Sequence, residues 1–285
     1  MRRGRAPMRG SPVSGRHSVS VSPMTDAQRY LRAYDEQLRT DAETPSAIAV
    51  AVEGPLRLVT FAGGRGFVTY RDLGGADSAG VRDLVASAVE HFRADMAIDR
   101  VEWKTRGHDH APGLHDALVA NGFEAGEPES IMIGPLTALA AVGDVPEGVT
   151  VRRLTTEADV RAMSAMVDEA FGESVDARQA DALVSRLERT DGMELWVAEV
   201  DGEMVSGGRL EPVPGTDFVG IWGGATLEAH RHRGIYRALT AARARSALAQ
   251  GKTLVHSDST VDSRPILERS GLVRVSTTTP YDWTR

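Results

Sequence analysis

A stretch near residue 230 gathers the residue types that hold phosphate groups: Thr226-Leu227-Glu228-Ala229-His230-Arg231-His232-Arg233-Gly234-Ile235-Tyr236-Arg237-Ala238-Leu239. An apolar strand runs into a short basic loop, a glycine and then an amphipathic helix carrying Ile235, Leu239 and Ala242. The first turn of a helix leaves N–H groups without intrahelical partners, and the aligned peptide dipoles add partial positive charge there. Arg231 and Arg233 add full charges, and Gly234 has no Cβ to keep a phosphate from the backbone. A pyrophosphate suits such a nest; a solvated basic turn is the other reading of the same residues. The Gly-Lys-Ser/Thr ending of a P-loop is missing, as is the Gly-x-Gly-x-x-Gly turn of dinucleotide-binding strands.

Chemistry-bearing side chains elsewhere are sparser. His108, His110 and His115 with Asp109 lie on an irregular stretch that gives two imidazoles no shared helix or strand frame, so no metal site is assigned. The chain has no cysteine, which removes a thiol nucleophile, a disulfide framework and a thiolate metal site. His230 and His232 alternate around the basic loop and read as solvated. His256 and Asp258 sit near the end of a strand, better placed for proton transfer. Trp103 and Trp222 read as core or cleft wall.

The second half of the chain supplies a legible frame for these residues. Strand Thr150–Arg153 precedes a helix from Glu157 to Ala170, whose stripe is Val160, Met163, Met166, Val167 and Ala170, and a helix from Ala177 to Arg189. Strands Met193–Val200 and Met204–Leu210 are joined by Asp201-Gly202, a hairpin signal. Then come strand Phe218–Leu227, helix Gly234–Gln250 closed by Gly251, strand Thr253–His256, helix Ser263–Arg269 and strand Val273–Thr278. The first half echoes part of this order. A helix spans Thr25 to Arg39, strands cover Leu56–Thr60 and Gly66–Tyr70, and a helix capped by Asp77 or Ser78 runs to Arg93. Strand Val101–Trp103, helix Pro112–Ala120 and strand Ser130–Ile133 follow. The division expected is a disordered basic tail (1–24), an amino-terminal domain (25–135), a linker with a short helix over Leu136–Val142 (136–148), and a site-bearing domain (149–285).

The stretch from Arg231 to Tyr236 resembles the acetyl-coenzyme A signature of the GCN5-related N-acetyltransferase (GNAT) family, Arg/Gln-x-x-Gly-x-Gly/Ala. Arg231 and Gly234 stand in their places, and Tyr236 departs at the last position. The resemblance covers Val149 to about Trp283. Val101-Glu102-Trp103-Lys104-Thr105 and Asn121-Gly122-Phe123-Glu124 resemble the degenerate amino-terminal domain of two-domain bacterial members. The resemblance implies an α/β (α+β) acyl-CoA N-acyltransferase fold: a mixed, mostly antiparallel, splayed sheet flanked by helices and duplicated. It implies acetyl-CoA, or another short acyl-CoA, with its thioester arm against Ala225, Thr226 and Leu227. Its pyrophosphate would rest on the N–H groups of Arg231, His232, Arg233, Gly234, Ile235 and Tyr236. The activity implied is direct acetyl transfer to a primary amine of a small molecule or protein. A non-catalytic acyl-CoA-binding or sensor protein is the alternative, because Ile221 stands where many members have a glutamate base and Leu267 where many have a tyrosine acid. Glu211 and Asp217, at the strand ends beside Ile221, are the expected substitutes for the base. Tyr281 is the expected acid, with Tyr236 and Ser259 as further candidates.

Bulk composition narrows the partners. The 285 residues, 41% hydrophobic and 26% charged, are enough for two packed domains. The first 24 residues hold five arginines and no acid, so the remainder is more acidic than the net −7 of the whole chain. A duplex-binding surface needs a basic footprint, so nucleic acid is not an expected partner. A cationic acceptor would suit the acidic body. No run of about 20 apolar residues is present, so no membrane association is expected. The lack of cysteine fits a reducing cytoplasm, and a homodimer is common among the proteins resembled.

Overall fold

The computed structural model describes Met1 and residues 24–189 and 191–285; apart from Met1 and Met24, the basic tail lies outside them. Local capping sets the amino-terminal elements. Thr25 and Gln28 form a reciprocal capping box that starts α1 (Asp26–Gln37). A 3₁₀ turn (Thr40–Glu43) leads to an antiparallel meander of β1 (Ala49–Glu53), β2 (Leu56–Phe61) and β3 (Arg65–Tyr70). The Asp77 carboxylate accepts from the Ala79 and Gly80 N–H groups and starts α2 (Ser78–Ala94). Then follow β4 (Arg100–Arg106), α3 (Leu114–Ala120), β5 (Glu124–Ala125), β6 (Glu129–Pro135) and α4 (Leu136–Ala141).

The carboxy-terminal elements are β7 (Val149–Arg153), α5 (Glu157–Phe171), α6 (Ala177–Leu187), β8 (Glu194–Val200), β9 (Glu203–Pro212) and β10 (Phe218–Thr226). They continue with α7 (Ile235–Ala249), β11 (Leu254–Ser259), α8 (Arg264–Arg269) and β12 (Val273–Thr284). At the β8–β9 turn Asp201 (φ 52°) and Gly202 (φ 82°) are both left-handed, the backbone that a two-residue type I′ hairpin requires.

All the strands form one sheet, ordered β1-β2-β3-β4-β12-β6-β11-β10-β9-β8-β7, with β5 beside β12. Among the described strands only β3·β4 and β10·β11 run parallel, one such pair in each half. The architecture is therefore the mixed, mostly antiparallel, duplicated sheet that was expected. The halves also exchange strands. β6, from the first half, pairs with β11, while β12, from the end of the chain, pairs with β4. The two exchanged strands pair with each other at the centre.

Two differences from the sequence-based expectation follow from this exchange and from chain length. β1 was missed because its Ala-Val-Ala-Val run is brief and sits at the sheet edge, half exposed. β12 was expected to stop at Thr278, before Pro280, because proline cannot donate to a ladder. It continues because Tyr281 and Trp283, each 7% exposed, are buried among Val101, Trp103 and Phe123 of the first half. Burying a large apolar side chain contributes roughly 1.5–3 kcal/mol, more than the about 1 kcal/mol of one missing ladder bond.

Helices cover both faces of the sheet. Met132 of β6 joins the core under α4 and α7, while its neighbours Ile131 and Ile133 point to the opposite face, against Tyr30 and Tyr34 of α1. The α5–α6 pair covers β8 and the end of β10 on that second face.

Candidate functional site

The site begins where two parallel strands part. β10 and β11 pair only over Phe218–Gly220 and Leu254–His256. Beyond Gly220, β10 shifts register against β9 between Trp222 and Ala225, a bulge in the strand. Ser257 Oγ donates to the Ile221 carbonyl at 3.1 Å, a single side-chain strut across the opening gap. Gly223 (φ 55°) leaves its backbone uncovered, whereas the Tyr236 ring covers Gly224, where a Cβ would lie 2.8 Å from it. Tyr236 therefore crosses β10 at the point of splay.

The loop after β10 folds into a donor nest. His232 (φ 62°) and Gly234 (φ 79°) are both left-handed, and Gly234 caps α7 without a side-chain hydrogen bond. Among the described residues, the N–H groups of residues 232 to 236 have no protein acceptor. Two other groups in this region are already engaged: the Leu227 N–H donates to Val205 O at 2.9 Å and the Arg231 N–H to Glu228 O at 3.1 Å. The Arg231 guanidinium donates to Thr226 O and Ala170 O, both at 3.0 Å, tying the loop to β10 and α5. Arg233 Nη1 lies 3.0 Å from His230 Nδ1, on the exposed rim. The nest thus keeps five successive donors and a helix dipole, a set that fits a pyrophosphate.

On the face opposite α7 the same gap opens onto polar groups. His256, 9% exposed, stands among the rings of Trp222 (5.0 Å), Phe218 (5.9 Å) and Tyr34 (6.4 Å). Its Nδ1 is buried without a hydrogen-bond partner, and burial pushes its pKa down to about 4. Two residues on, Asp258 accepts from Lys104 Nζ at 2.6 Å through Oδ2, while Oδ1 is buried and unpaired. Lys104 comes from β4, in the other half of the molecule. It also meets Glu43 at 3.4 Å, and Glu43 bonds Arg106 and Thr69. Against the cost of burial, Arg106 and Lys104 hold the Glu43 carboxyl at about 2, and Asp258 and Glu43 hold the Lys104 ammonium above its usual range.

The three expected catalytic residues are not brought together. Glu211 lies opposite Gly220, its carboxylate held by Arg186 at 2.8 Å and Arg209 at 3.3 Å. Asp217 precedes β10 at its other end, on the order of 25–30 Å along the strand from Thr226, and accepts from Gln37 at 3.0 Å. Tyr281 is in the first-half core, 2.8 Å from His115 Nδ1. Its hydroxyl lies against the first half because β12 is exchanged. The expected nest residues, by contrast, are contiguous in space as in sequence. Lys104 and Glu43 were missed. The alternation of Glu102, Lys104 and Arg106 with Val101 and Trp103 shows that they share a face, but nothing local shows that Lys104 meets Asp258.

His108 contacts Ser276 and Asp35, and among the described residues no group of three or more His, Cys, Asp or Glu is placed to hold a metal. No described helix is long and apolar enough to cross a membrane. An open groove of about 850 Å³ runs beside α5 to Leu227, rimmed by Glu169, Glu173 and Glu203.

Comparison with known proteins gives the same region. Residues 160–271 match the acetyltransferase (GNAT) family. The chain resembles a GCN5-related N-acetyltransferase from Kribbella flavida, with a TM-score of 0.63 at 20% identity, over 91% of this chain and 96% of that one. A GCN5-related N-acetyltransferase from Sphaerobacter thermophilus gives 0.59 at 18% identity, over 80% and 76%. A tandem GNAT protein from the clavulanic acid biosynthesis pathway gives 0.56 at 16% identity, over 80% and 78%. At these identities the likeness establishes the fold. No curated protein matches the chain in sequence. Residues 160–271 thus match the acetyltransferase (GNAT) family, and the chain as a whole shares the fold of two-domain GNAT-type structures.

Proposed function

We propose that the protein moves an acetyl group from acetyl-CoA, or another short acyl-CoA, directly to a primary amine. The observation that carries this is the α7 nest, where five N–H groups and the positive end of a 15-residue helix remain unspent beside a splayed strand pair. In this reading the N–H groups of His232, Arg233, Gly234, Ile235 and Tyr236 hold the pyrophosphate. The glycines of β10 admit the thioester arm beside Ala225 and Thr226, while Leu227 and Arg231 shape the loop through their internal bonds. In this reading Tyr236, whose ring packs against Gly224, gives a proton from its hydroxyl to the departing sulfur. Positioning of two reactants in one cleft supplies much of the rate in such transfers.

The carboxy-terminal residues 149–285 would bear the site, and residues 25–135 would support it through β6 and Lys104. The acidic rim of the groove at Leu227 favours a cationic acceptor. The second reading, non-catalytic acyl-CoA binding, draws on Glu211 being held by Arg186 and Arg209, Asp217 by Gln37, and Tyr281 lying in the first-half core. Calorimetric titration with acetyl-CoA, followed by thiol release in the presence of primary amines, separates the two. Binding with amine-dependent thiol release is expected. Binding without release under any amine selects the second reading, and no binding removes both.

A further inference from the structure

We propose that His256 and Asp258, braced by Lys104 from the other half of the molecule, form the amine-handling site: Asp258 pairs with the acceptor's ammonium and His256 takes the proton from its nitrogen. This rests on the acetyl-transfer reading above and names a base for it other than Glu211, which Arg186 and Arg209 hold, and Asp217, which Gln37 holds.

Position is the first ground. His256 pairs with Gly220 at the last rung before β10 and β11 separate, and Asp258 follows on the same face. That face is opposite α7, so an amine arriving there meets the gap from the side away from the pyrophosphate nest. The second ground is a pair of unspent polar atoms. His256 Nδ1 and Asp258 Oδ1 are both buried without partners, in side chains about nine-tenths covered. Natural structures satisfy the great majority of such atoms, and a catalytic role is one of the reasons an atom is left over; here two of them share one face beside the gap. The third ground is the surroundings. Half-buried Trp222 forms a ring wall beside His256, and an ammonium is attracted to such a face as well as to the carboxylate. Burial keeps the imidazole neutral at ordinary pH, with one ring nitrogen free to accept. Lys104 occupies one oxygen of Asp258 and leaves the other without a partner.

The protons balance. The ammonium releases one proton to water by way of Asp258, giving the neutral amine. Its nitrogen bonds to the acetyl carbonyl carbon as the carbon–sulfur bond breaks. The remaining excess proton on nitrogen goes to His256, Tyr236 gives one to sulfur, and proton exchange through solvent restores both side chains. The products are the N-acetyl amine, the free thiol of CoA and one released proton.

The test uses the full chain with methylamine, benzylamine, spermidine and a lysine-containing peptide as acceptors. His256→Ala should bind acetyl-CoA within about twofold of the parent, while kcat for the best amine falls about 100-fold or more, the scale of a lost general base. Imidazole added to the buffer should restore at least about tenfold of that loss. Asp258→Asn should raise the amine KM about tenfold, more than it lowers kcat. A His256→Ala protein whose kcat stays near the parent's, or whose loss imidazole does not relieve, overturns the assignment. So does a parent protein that binds acetyl-CoA and acetylates none of the four amines, which leaves the cofactor reading standing. A parent that does not bind acetyl-CoA removes the acetyl-transfer reading itself.

Discussion

The two halves of the molecule carry the same parallel strand pair joined by the same kind of helix, yet treat the helix start in opposite ways. In the first half Asp77 bonds the Ala79 and Gly80 N–H groups at 3.1 and 2.9 Å, so a carboxylate of the chain itself occupies the start of α2. The end of β3 is filled as well: the buried Arg39 guanidinium donates twice to Tyr70 O and meets Asp109 at 2.9 Å. In the second half a left-handed glycine caps α7 and no side chain reaches its donors. A shared topology thus supplies two candidate anion sites, and the capping residue decides which one is spent on stability.

The largest expected effect tests the charge lattice packed into the first half. Glu43→Gln leaves the buried Arg106 without its carboxylate, while Lys104 keeps Asp258, and should lower the unfolding free energy by about 3 kcal/mol, read by urea titration. The same lattice predicts acid sensitivity. Glu43 is held at about 2 against an ordinary 4.5, so its contribution is complete above pH 4.5 and is lost as pH falls toward 2. His256 acts in the same direction over a higher window: the unfolded chain takes its proton near 6.5 and the folded chain only near 4. Thermal melts should therefore fall steadily below pH 6.5, and the step below 4.5 should be missing in Glu43→Gln.

Next in size is the nest. Gly234→Asp forces a side chain into a left-handed backbone (φ 79°) and sets a carboxylate among the donors, making α7 resemble α2. Acetyl-CoA affinity should drop about 100-fold, or roughly 2.7 kcal/mol, by calorimetry. An unchanged affinity would remove the pyrophosphate assignment.

The smallest effects bear on the occupied helix. The wild-type chain should take up one acetyl-CoA, and a calorimetric stoichiometry of two would show that α2 is open after all. Asp77→Ala should cost about 1 kcal/mol of stability through the lost cap. Its stoichiometry should stay at one, because Arg39 still fills the end of β3.

Much of the fold was legible because it rests on short-range signals. Thr25, Asp77, Thr156 and Asp176 cap the helices they precede, and glycines end several of them. The nest was legible for the same reason: strand, basic loop, glycine and helix are consecutive, so their arrangement follows from local backbone rules. The catalytic side was legible only in part: the strand position of His256 and Asp258 could be read, but not the partners of any carboxylate. Glu211 and Asp217 were chosen for closeness in sequence to Ile221. A carboxylate's role, however, depends on what else reaches it, and here that is Arg186 and Arg209 in one case and Gln37 in the other.

The sequence by itself determined the element order, the duplicated pattern and the phosphate-type nest, because capping, periodicity and a left-handed glycine act over a few residues. Only the tertiary structure decided that β6 and β12 change places, that Tyr281 belongs to the first-half core, and that Lys104 reaches Asp258 across the seam. Those outcomes depend on which apolar faces bury most area against each other and which buried charges find partners. Both are sums over residues far apart in the chain, so no window of sequence contains them.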